Sequence, residues 1–267
     1  MKIIHLNCGT MRPWGTPDGL VCHVLLLETR SGLALVDSGL GLHDRGAPAA
    51  RFGPARHFVR PVFSEDETAI RQIQALGYDP HDVRDIVLTH FDADHTGGLA
   101  DFPWARVHLT AQEQEAALHP RGVVEQGRYL PAVRDHRPEL IPHQPRSGDA
   151  WLGFDTAEQL TEIDDGIVLI ALPGHTRGHA AVAVDGGHRW VLHAGDAFYH
   201  HGRLAGTSSP LSLRIMERAL AHDWSRVQAN HVRLGELWTS AESDIQMVNA
   251  HDPYLFYNSV GPGGPGV

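Results

Sequence analysis

The chain has 267 residues, of which 42% are hydrophobic and 20% charged, a composition typical of a folded globular protein. Its formal net charge of -10 argues against nucleic acid as a partner, because binding a phosphate backbone requires clustered lysine and arginine. The two cysteines exclude a disulfide framework, and no apolar run reaches the roughly 20 residues that span a bilayer. The N-terminal MKIIHLNCG lacks the apolar stretch of a signal peptide, so we expect a cytoplasmic protein without a membrane partner.

The first residues of the chain predict strands. Residues 3–6, 21–29 and 33–39 are apolar, and the RSG between the last two predicts the turn of a β-hairpin. Residues 41–64 contain Gly, Pro, Arg and His without a clear period. We therefore predict a long surface loop over 41–64, and loops of this length are often functional.

Helical patterns then alternate with short strands. Residues 64–77 predict a helix, with Ser64 as N-cap and Glu67 completing a capping box. Strands are predicted at residues 84–90 and 106–110, and a helix at 111–118. Residues 119–165 are proline-rich and irregular, which fits either a lid facing the substrate or a plain surface excursion.

The second half repeats the order of strands followed by helix. Strands are predicted at residues 166–174 and 180–196, the latter folded back at a DGG turn, and an amphipathic helix at 212–224. This pattern predicts one α/β domain, residues 1–258, in which two similar halves place their sheets between helices. The final residues, 259–267, are predicted to form a disordered tail.

A group of candidate metal ligands follows the strand at 84–90. Residues 90–98 read HFDADHTGG and contain His90, Asp92, Asp94 and His95. Loops at strand ends are where α/β folds hold their ligands. Alternate residues of an extended segment point the same way, so 90, 92 and 94 can converge. Histidine and carboxylate together suit zinc, iron or manganese.

Three more candidate ligands occur later in the chain, at strand ends or in loops. His175 follows the strand that ends in LPG, Asp196 ends the strand VLHAGD, and His251 lies in NAHDPY. His231, in QANHVRLGE, competes with His251 for the last place. The histidine at position 193 lies inside a predicted strand, and we interpret it as a core residue.

Taken in order, these motifs resemble the metallo-β-lactamase superfamily, whose members typically show HxHxDH, then GHT, a strand-end aspartate and a last histidine. The resemblance extends over residues 20–252 and includes LVDSG, where Asp37 would orient a ligand by hydrogen bonding. It implies an αββα sandwich of the metallo-β-lactamase type that binds two divalent ions, with zinc preferred. The first ion would be bound by His90, Asp92 and His175, the second by Asp94, His95 and His251, and Asp196 would bridge the two.

Asp92 departs from the family pattern, which usually has histidine at this position. The change gives a ligand charge of -3 instead of -2, so two divalent ions and one hydroxide sum to zero rather than +1. The centre should be a weaker Lewis acid, and the added oxygen ligand makes iron or manganese plausible beside zinc. The first site could also bind its ion loosely or not at all.

The resemblance implies a hydrolase in which hydroxide formed at the metals attacks the carbonyl of a small-molecule lactone or ester, similar to acyl-homoserine lactonases. We predict that Asp94 transfers the proton to the leaving group. The resemblance to lactonase-like members also implies that Tyr199, three residues after Asp196, hydrogen-bonds the substrate carbonyl. The alternatives are a glyoxalase-II-like thioesterase, a di-iron redox protein and a non-catalytic binding member of the fold. Exposed tryptophan and phenylalanine in the two irregular segments would permit a homodimer.

Overall fold

The computed structural model describes residues 1–240 and 244–260, apart from the side chains of 148 and 149. It contains two six-stranded sheets. The strands of the first sheet lie side by side in chain order: β1 (Lys2–Met11), β2 (Leu20–Thr29), β3 (Gly32–Val36), β4 (Val83–Val87), β5 (Arg106–Thr110) and β6 (Glu139–His143). β1, β2 and β3 are antiparallel, whereas β3 to β6 are parallel.

The second sheet has the opposite order, with its last strand at one edge. Its strands are β7 (Arg146–Trp151), β8 (Phe154–Gln159), β9 (Ile167–Ala171), β10 (Ala180–Asp185), β11 (Trp190–His193) and β12 (Ile245–Val248). All neighbours are antiparallel except β11 and β12, which are parallel. Parallel strands leave their carboxyl ends at one edge of a sheet, where loops can hold functional residues.

Ten α-helices occur in the described residues. They are α1 (Leu42–Gly46), α2 (Pro48–Phe52), α3 (Arg56–Val59), α4 (Ala69–Ala75), α5 (Ala93–Thr96), α6 (Ala111–Leu118), α7 (Gly122–Arg128), α8 (Leu211–Leu220), α9 (Trp224–Thr239) and α10 (Pro253–Val260). None of these helices combines the length and apolar character that crossing a membrane requires.

Three apolar clusters define the layers. The cluster between the sheets contains Leu27 and Val36 of the first sheet and Leu169 and Val184 of the second. On the outer faces, one cluster joins the first sheet to α4 and α6, and another joins the second sheet to α9 and α10. The predicted αββα sandwich is therefore confirmed.

Several predicted elements are confirmed with close bounds. β2 and β3 form the predicted hairpin, with Thr29 paired to Gly32 across the turn. β5 and α6 coincide with residues 106–110 and 111–118. Adjacent residues set the periodicity and the caps of these segments, so the local sequence is enough to predict them.

The prediction of a loop over residues 41–64 was wrong, because the segment contains α1, α2 and α3. Arg51 explains why these short helices form. Its guanidinium donates to the buried carboxylate of Asp44 and to the carbonyl oxygens of Gly97 and Ala132. The latter partners are distant in sequence, so no local pattern indicates them.

The interpretation of residues 119–165 as irregular was also wrong. They contain α7, β6, β7 and β8. β6 is an edge strand paired with β5, and β8 is paired with β9. Edge strands tolerate proline and mixed burial, so β6 lacks the alternation by which strands are recognised.

The helix predicted at residues 64–77 begins later than expected. α4 starts at Ala69 with Thr68 at its N-cap, so the Ser64–Glu67 capping box does not form. The Glu67 carboxylate instead accepts hydrogen bonds from the Thr10 backbone N–H and hydroxyl, each at 2.8 Å. Thr10 of β1, which is distant in sequence, therefore replaces Ser64 as the partner of Glu67.

The C-terminal boundary differs slightly from the prediction. α10 continues to Val260, so the predicted domain end at residue 258 falls inside this helix. The rest of the predicted tail, residues 261–267, lies outside the described residues.

Candidate metal centre

All seven predicted ligands meet at one edge of the sandwich. They lie in the segments that follow four strands, β4, β9, β11 and β12, and two of them, Asp94 and His95, are in α5. The segment after β4 is extended only as far as Asp92, which is the N-cap of α5. The expectation that 90, 92 and 94 converge along an extended segment was therefore wrong, because the first helical turn directs Asp94 and His95.

The first group consists of His90, Asp92 and His175. Asp92 Oδ2 lies 3.4 Å from His90 Nε2 and 3.2 Å from His175 Nε2. The side chains of both histidines are buried, and that of Asp92 is 17% exposed. Tetrahedral bonds of about 2.0–2.1 Å put ligand atoms about 3.3 Å apart, so these separations suit one metal ion.

The second group consists of Asp94, His95 and His251. Asp94 Oδ2 lies 3.4 Å from His251 Nε2 and 4.0 Å from His95 Nε2. In each group the histidine nitrogen and carboxylate oxygen atoms lie within 4.8 Å of one another. Each group could therefore hold one ion.

Asp196 lies between the two groups and presents one oxygen to each. Its Oδ2 is 3.4 Å from His175 Nε2 and 3.9 Å from His90 Nε2. Its Oδ1 is 3.1 Å from His251 Nε2 and 3.3 Å from His95 Nε2. This is the arrangement expected of a carboxylate that bridges two ions.

Hydrogen bonds on the far side of each ring orient the histidines. The Nδ1 of His90 contacts the Thr89 hydroxyl at 3.0 Å, and the Nδ1 of His251 contacts the Val21 carbonyl oxygen at 2.8 Å. The carbonyl oxygen can only accept, so Nδ1 of His251 carries the proton. The Thr89 hydroxyl donates to Asp37, so it accepts from His90. In neutral rings, the form that binds metal, both Nε2 atoms then direct a lone pair into the centre.

Buried atoms without partners lie where the ions would bind. His90 Nε2, His95 Nε2, Asp92 Oδ1 and Asp196 Oδ1 have no hydrogen-bond partner. An unsatisfied buried polar atom is costly, so four at one place indicate a bound cation. The residues present therefore fit divalent metal ions.

Asp37 orients His95, as predicted for LVDSG. Its Oδ2 lies 2.8 Å from His95 Nδ1, and its carboxylate also accepts hydrogen bonds from the Thr89 backbone N–H and hydroxyl. Burial would raise the pKa of Asp37, but the neighbouring His95 outweighs burial and lowers it. Asp37 also has φ of +58°, a costly conformation for this residue type that the surrounding bonds maintain.

We expect Asp37→Asn to weaken zinc affinity by about 10- to 100-fold, because the amide cannot accept every hydrogen bond that the carboxylate accepts. A competition titration against a chromophoric chelator measures the effect. Asp101→Asn is the matched control, since Asp101 is a buried carboxylate bonded to the Leu42 backbone N–H. Equal affinities of the two variants would contradict the role of Asp37.

Arg128, at the end of α7, was not predicted. Its Nη1 lies 3.1 Å from both Asp92 Oδ2 and His175 Nε2, and its side chain is 10% exposed. Burial would raise the pKa of Asp92, but Arg128 and His90 hold it well below its usual value. Nη1 contacts the two atoms that a first ion would bind, His175 Nε2 and Asp92 Oδ2, so Arg128 and that ion compete for them. No local pattern in GVVEQGR distinguishes this arginine from an exposed one.

Glu113, in α6, joins two of the ligand loops and was also missed. Its Oε1 accepts from the Phe91 backbone N–H at 2.9 Å, and its Oε2 accepts from the Thr176 hydroxyl at 2.7 Å. It is fully buried, although three further polar residues surround it in AQEQEAAL. The carboxylate fixes the loop of His90 relative to that of His175.

A cavity of about 200 Å³ opens onto the centre. Asp92, Asp94, Asp196 and His251 line its polar side, and its other walls include Met11, Leu20, Phe52, Val59, Leu130, Met216 and Leu220. Tyr199 also lines it, with its ring 5.6 Å from that of His251. Burial raises the pKa of Tyr199 well above its usual value, so the hydroxyl keeps its proton and can donate.

The competing histidines lie elsewhere. His231 is in α9, where its Nε2 is 3.3 Å from Glu217 Oε1. His193 is buried in β11, and its Nε2 lies 2.8 Å from the His23 carbonyl oxygen. Both positions agree with the choice of His251 and with the interpretation of His193 as a core residue.

Comparison with known proteins identifies the family. The chain matches the family model of the metallo-β-lactamase superfamily over residues 17–248. The chain belongs to this superfamily. A probable metallo-hydrolase from Mycobacterium tuberculosis is 50% identical over 257 residues, 96% of this chain and 82% of that protein. The predicted metal-dependent hydrolase is thereby confirmed at the level of the superfamily.

Relatives named as lactonases are more distant. The N-acyl homoserine lactonase AttM of Azorhizobium caulinodans is 30% identical over 162 residues, 60% of this chain and 57% of that protein. Among solved structures, an N-acyl homoserine lactone hydrolase with its product N-hexanoyl-L-homoserine superposes with a TM-score of 0.64 at 21% identity, covering 95% and 94% of the chains. A probable metal-dependent hydrolase from Staphylococcus aureus gives 0.65 at 16%, covering 94% and 89%. These two structures support the fold.

Proposed function

We propose that the chain is a dinuclear hydrolase that opens a lactone or cleaves an ester. The observation that carries the proposal is Asp196, whose two oxygens face two separate ligand groups. A single-ion site would need only one of these groups. Zinc is the ion that the two histidines of each group favour, while the carboxylate of Asp92 also suits iron or manganese.

Divalent ions at this centre would supply a nucleophile from water at neutral pH and polarise the substrate carbonyl. The side chains of the centre would place the reacting atoms. Asp94 Oδ2 is 3.4 Å from His251 Nε2 and faces the cavity, where it can accept a proton and transfer it to the leaving alkoxide. Tyr199 would donate a hydrogen bond to the substrate carbonyl oxygen.

Arg128 offsets the extra negative charge that Asp92 introduces. Four histidines and three aspartates give a ligand charge of -3, which two divalent ions and one hydroxide neutralise. The guanidinium beside Asp92 restores a net charge of +1. A centre with that charge stabilises the developing oxyanion better than a neutral one.

The cavity favours a substrate with an apolar acyl group. Its volume is about 200 Å³, and the methionine, leucine and phenylalanine side chains in its walls suit an apolar group of limited size. Some relatives are named N-acyl homoserine lactonases, whose substrate combines a lactone with an acyl chain. We therefore propose acyl lactones as the substrate class.

Metal content and a substrate panel test this proposal together. Protein loaded with zinc, iron or manganese would be freed of excess metal, measured by elemental analysis and assayed on acyl lactones, aryl esters, thioesters and β-lactams. We expect two ions at the centre and fastest turnover of lactones. If thioesters were hydrolysed fastest, the proposed substrate class would be wrong and the chain would act as a thioesterase. Metal without turnover of any of them would contradict hydrolysis.

We expect Tyr199→Phe to lower kcat/KM about tenfold, because one hydrogen bond to the developing oxyanion is lost. Metal content and thermal stability should stay unchanged, since Tyr199 is not a predicted ligand. Steady-state kinetics with the preferred substrate measures the effect. An unchanged kcat/KM would show that the tyrosine only lines the cavity.

A further inference from the structure

Another histidine pair lies between the two sheets, separate from the seven residues of the centre. His108 is on β5 and His143 ends β6, whereas Glu162 lies between β8 and β9 of the second sheet. His108 Nδ1 and His143 Nε2 face each other at 3.0 Å. Glu162 Oε1 lies 3.7 Å from the first atom and 3.5 Å from the second. We call these three residues the sheet-bridging cluster.

Carboxylates on the far side of each ring fix where the protons lie. Asp85 Oδ1 is 3.0 Å from His108 Nε2, and Glu158 Oε1 is 2.9 Å from His143 Nδ1. Ionised carboxylates only accept hydrogen bonds, so these two ring nitrogens donate. In neutral rings the facing nitrogens are then both lone pairs, and neither can donate to the other. A cation placed between them removes this repulsion.

The two carboxylates are themselves held in place. Arg106 contacts Asp85 Oδ1 with Nε at 2.8 Å and Nη2 at 2.7 Å. The backbone N–H of Gln144 donates to Glu158 Oε2 at 2.9 Å. A histidine that donates its second ring N–H to a fixed carboxylate is typical of metal ligands. Both histidines of the cluster have this support.

The distances also suit a metal ion. Zinc bonds of about 2.0–2.1 Å in a tetrahedral site put ligand atoms about 3.3 Å apart, and the three separations in the cluster range from 3.0 to 3.7 Å. His108 and His143 are buried, but the Glu162 side chain is 41% exposed, which provides a path of entry. His143 also lines an open cavity of about 930 Å³ that contains none of the seven predicted ligands.

We propose that His108, His143 and Glu162 bind a further divalent ion, with zinc preferred, and that this ion joins the two sheets. Its ligands come from β5 and β6 on one side and from the β8–β9 connection on the other. The bound ion would therefore stabilise the sandwich rather than contact substrate. The proposal does not depend on the proposed hydrolase activity, since the two sites share no residue.

Zinc stoichiometry tests the proposal in a chain whose metal centre is disabled. The double variant His90→Ala, His251→Ala removes one predicted ligand from each group of the centre. After zinc loading and gel filtration, we expect this variant to retain about one zinc per chain and to lose it when His143→Gln is added. His119→Gln, which replaces an exposed histidine, is the matched control and should retain the zinc.

The result that overturns the proposal is a disabled chain that retains no zinc, or one whose zinc is unaffected by His143→Gln. Failure of the proposed function looks different, because it is measured as lack of substrate turnover by the wild type and leaves the zinc content of the disabled chain unchanged. If the triple variant does not fold, Glu162→Gln in the wild-type centre serves instead, since its side chain is partly exposed.

Thermal unfolding supplies the second readout. We expect zinc to raise the Tm of Glu162→Gln less than that of the wild type, with affinity for the cluster at least about tenfold lower. If the two histidines merely share a proton, zinc would raise the Tm of Glu162→Gln and that of the wild type equally. That result would show the proposal to be wrong.

Discussion

Asp196→Ala is expected to lower kcat by about a thousandfold and to reduce the metal retained at the centre from two ions to one or none. Asp196 contributes an oxygen to each ligand group, so its removal weakens both sites at once. Loss of several kcal/mol of transition-state stabilisation corresponds to a factor of this size. Elemental analysis and single-turnover kinetics on the same preparation measure both effects.

His193→Gln is the control for disruption of the strand. His193 is buried in β11, three residues before Asp196, and contacts a backbone carbonyl oxygen rather than a ligand. We expect this variant to lose stability but to keep its metal. If Asp196→Ala kept two ions and full activity, the bridging role would be contradicted.

Arg128→Met is expected to lower the free energy of unfolding of the metal-free protein by about 3 kcal/mol. The substitution leaves the Asp92 carboxylate largely buried without its ion-pair partner, and such losses typically cost about 3–5 kcal/mol. Zinc should then raise the Tm of Arg128→Met more than that of the wild type, because the guanidinium no longer competes for His175. Chemical denaturation with and without zinc measures both quantities.

Arg177→Met is the matched control for this prediction. Arg177 donates two hydrogen bonds to Glu125, at 2.7 and 3.0 Å, and the pair is buried to a similar degree. Glu125 lies on α7, as Arg128 does, but it is not a predicted ligand. We expect Arg177→Met to lower the free energy of unfolding by a similar amount. Zinc should raise the Tm of this variant no more than that of the wild type. Equal zinc effects in the two variants would show that Arg128 does not oppose the first ion.

The sequence by itself determined the elements that local patterns control. The hairpin of β2 and β3, the strand β5 and the helix α6 follow from alternation, turn residues and caps that lie within a few positions of each other. Six of the seven candidate ligands also followed from the sequence, since all but His251 come after a predicted apolar strand and strand ends meet at one edge of a sheet. Their order along the chain indicated the superfamily.

The tertiary structure decided everything that depends on partners distant in sequence. Arg51 folds residues 41–64 into helices through Gly97 and Ala132, and β6 forms because β5 is beside it. Arg128 reaches Asp92 across 36 positions of the chain. From the sequence alone, a charged side chain on a short helix is expected to be exposed to solvent. Only the fold shows that a carboxylate lies beside it. For this reason the candidate ligands could be proposed from the sequence, whereas the residues that balance their charge and fix their orientation, Asp37 excepted, could not.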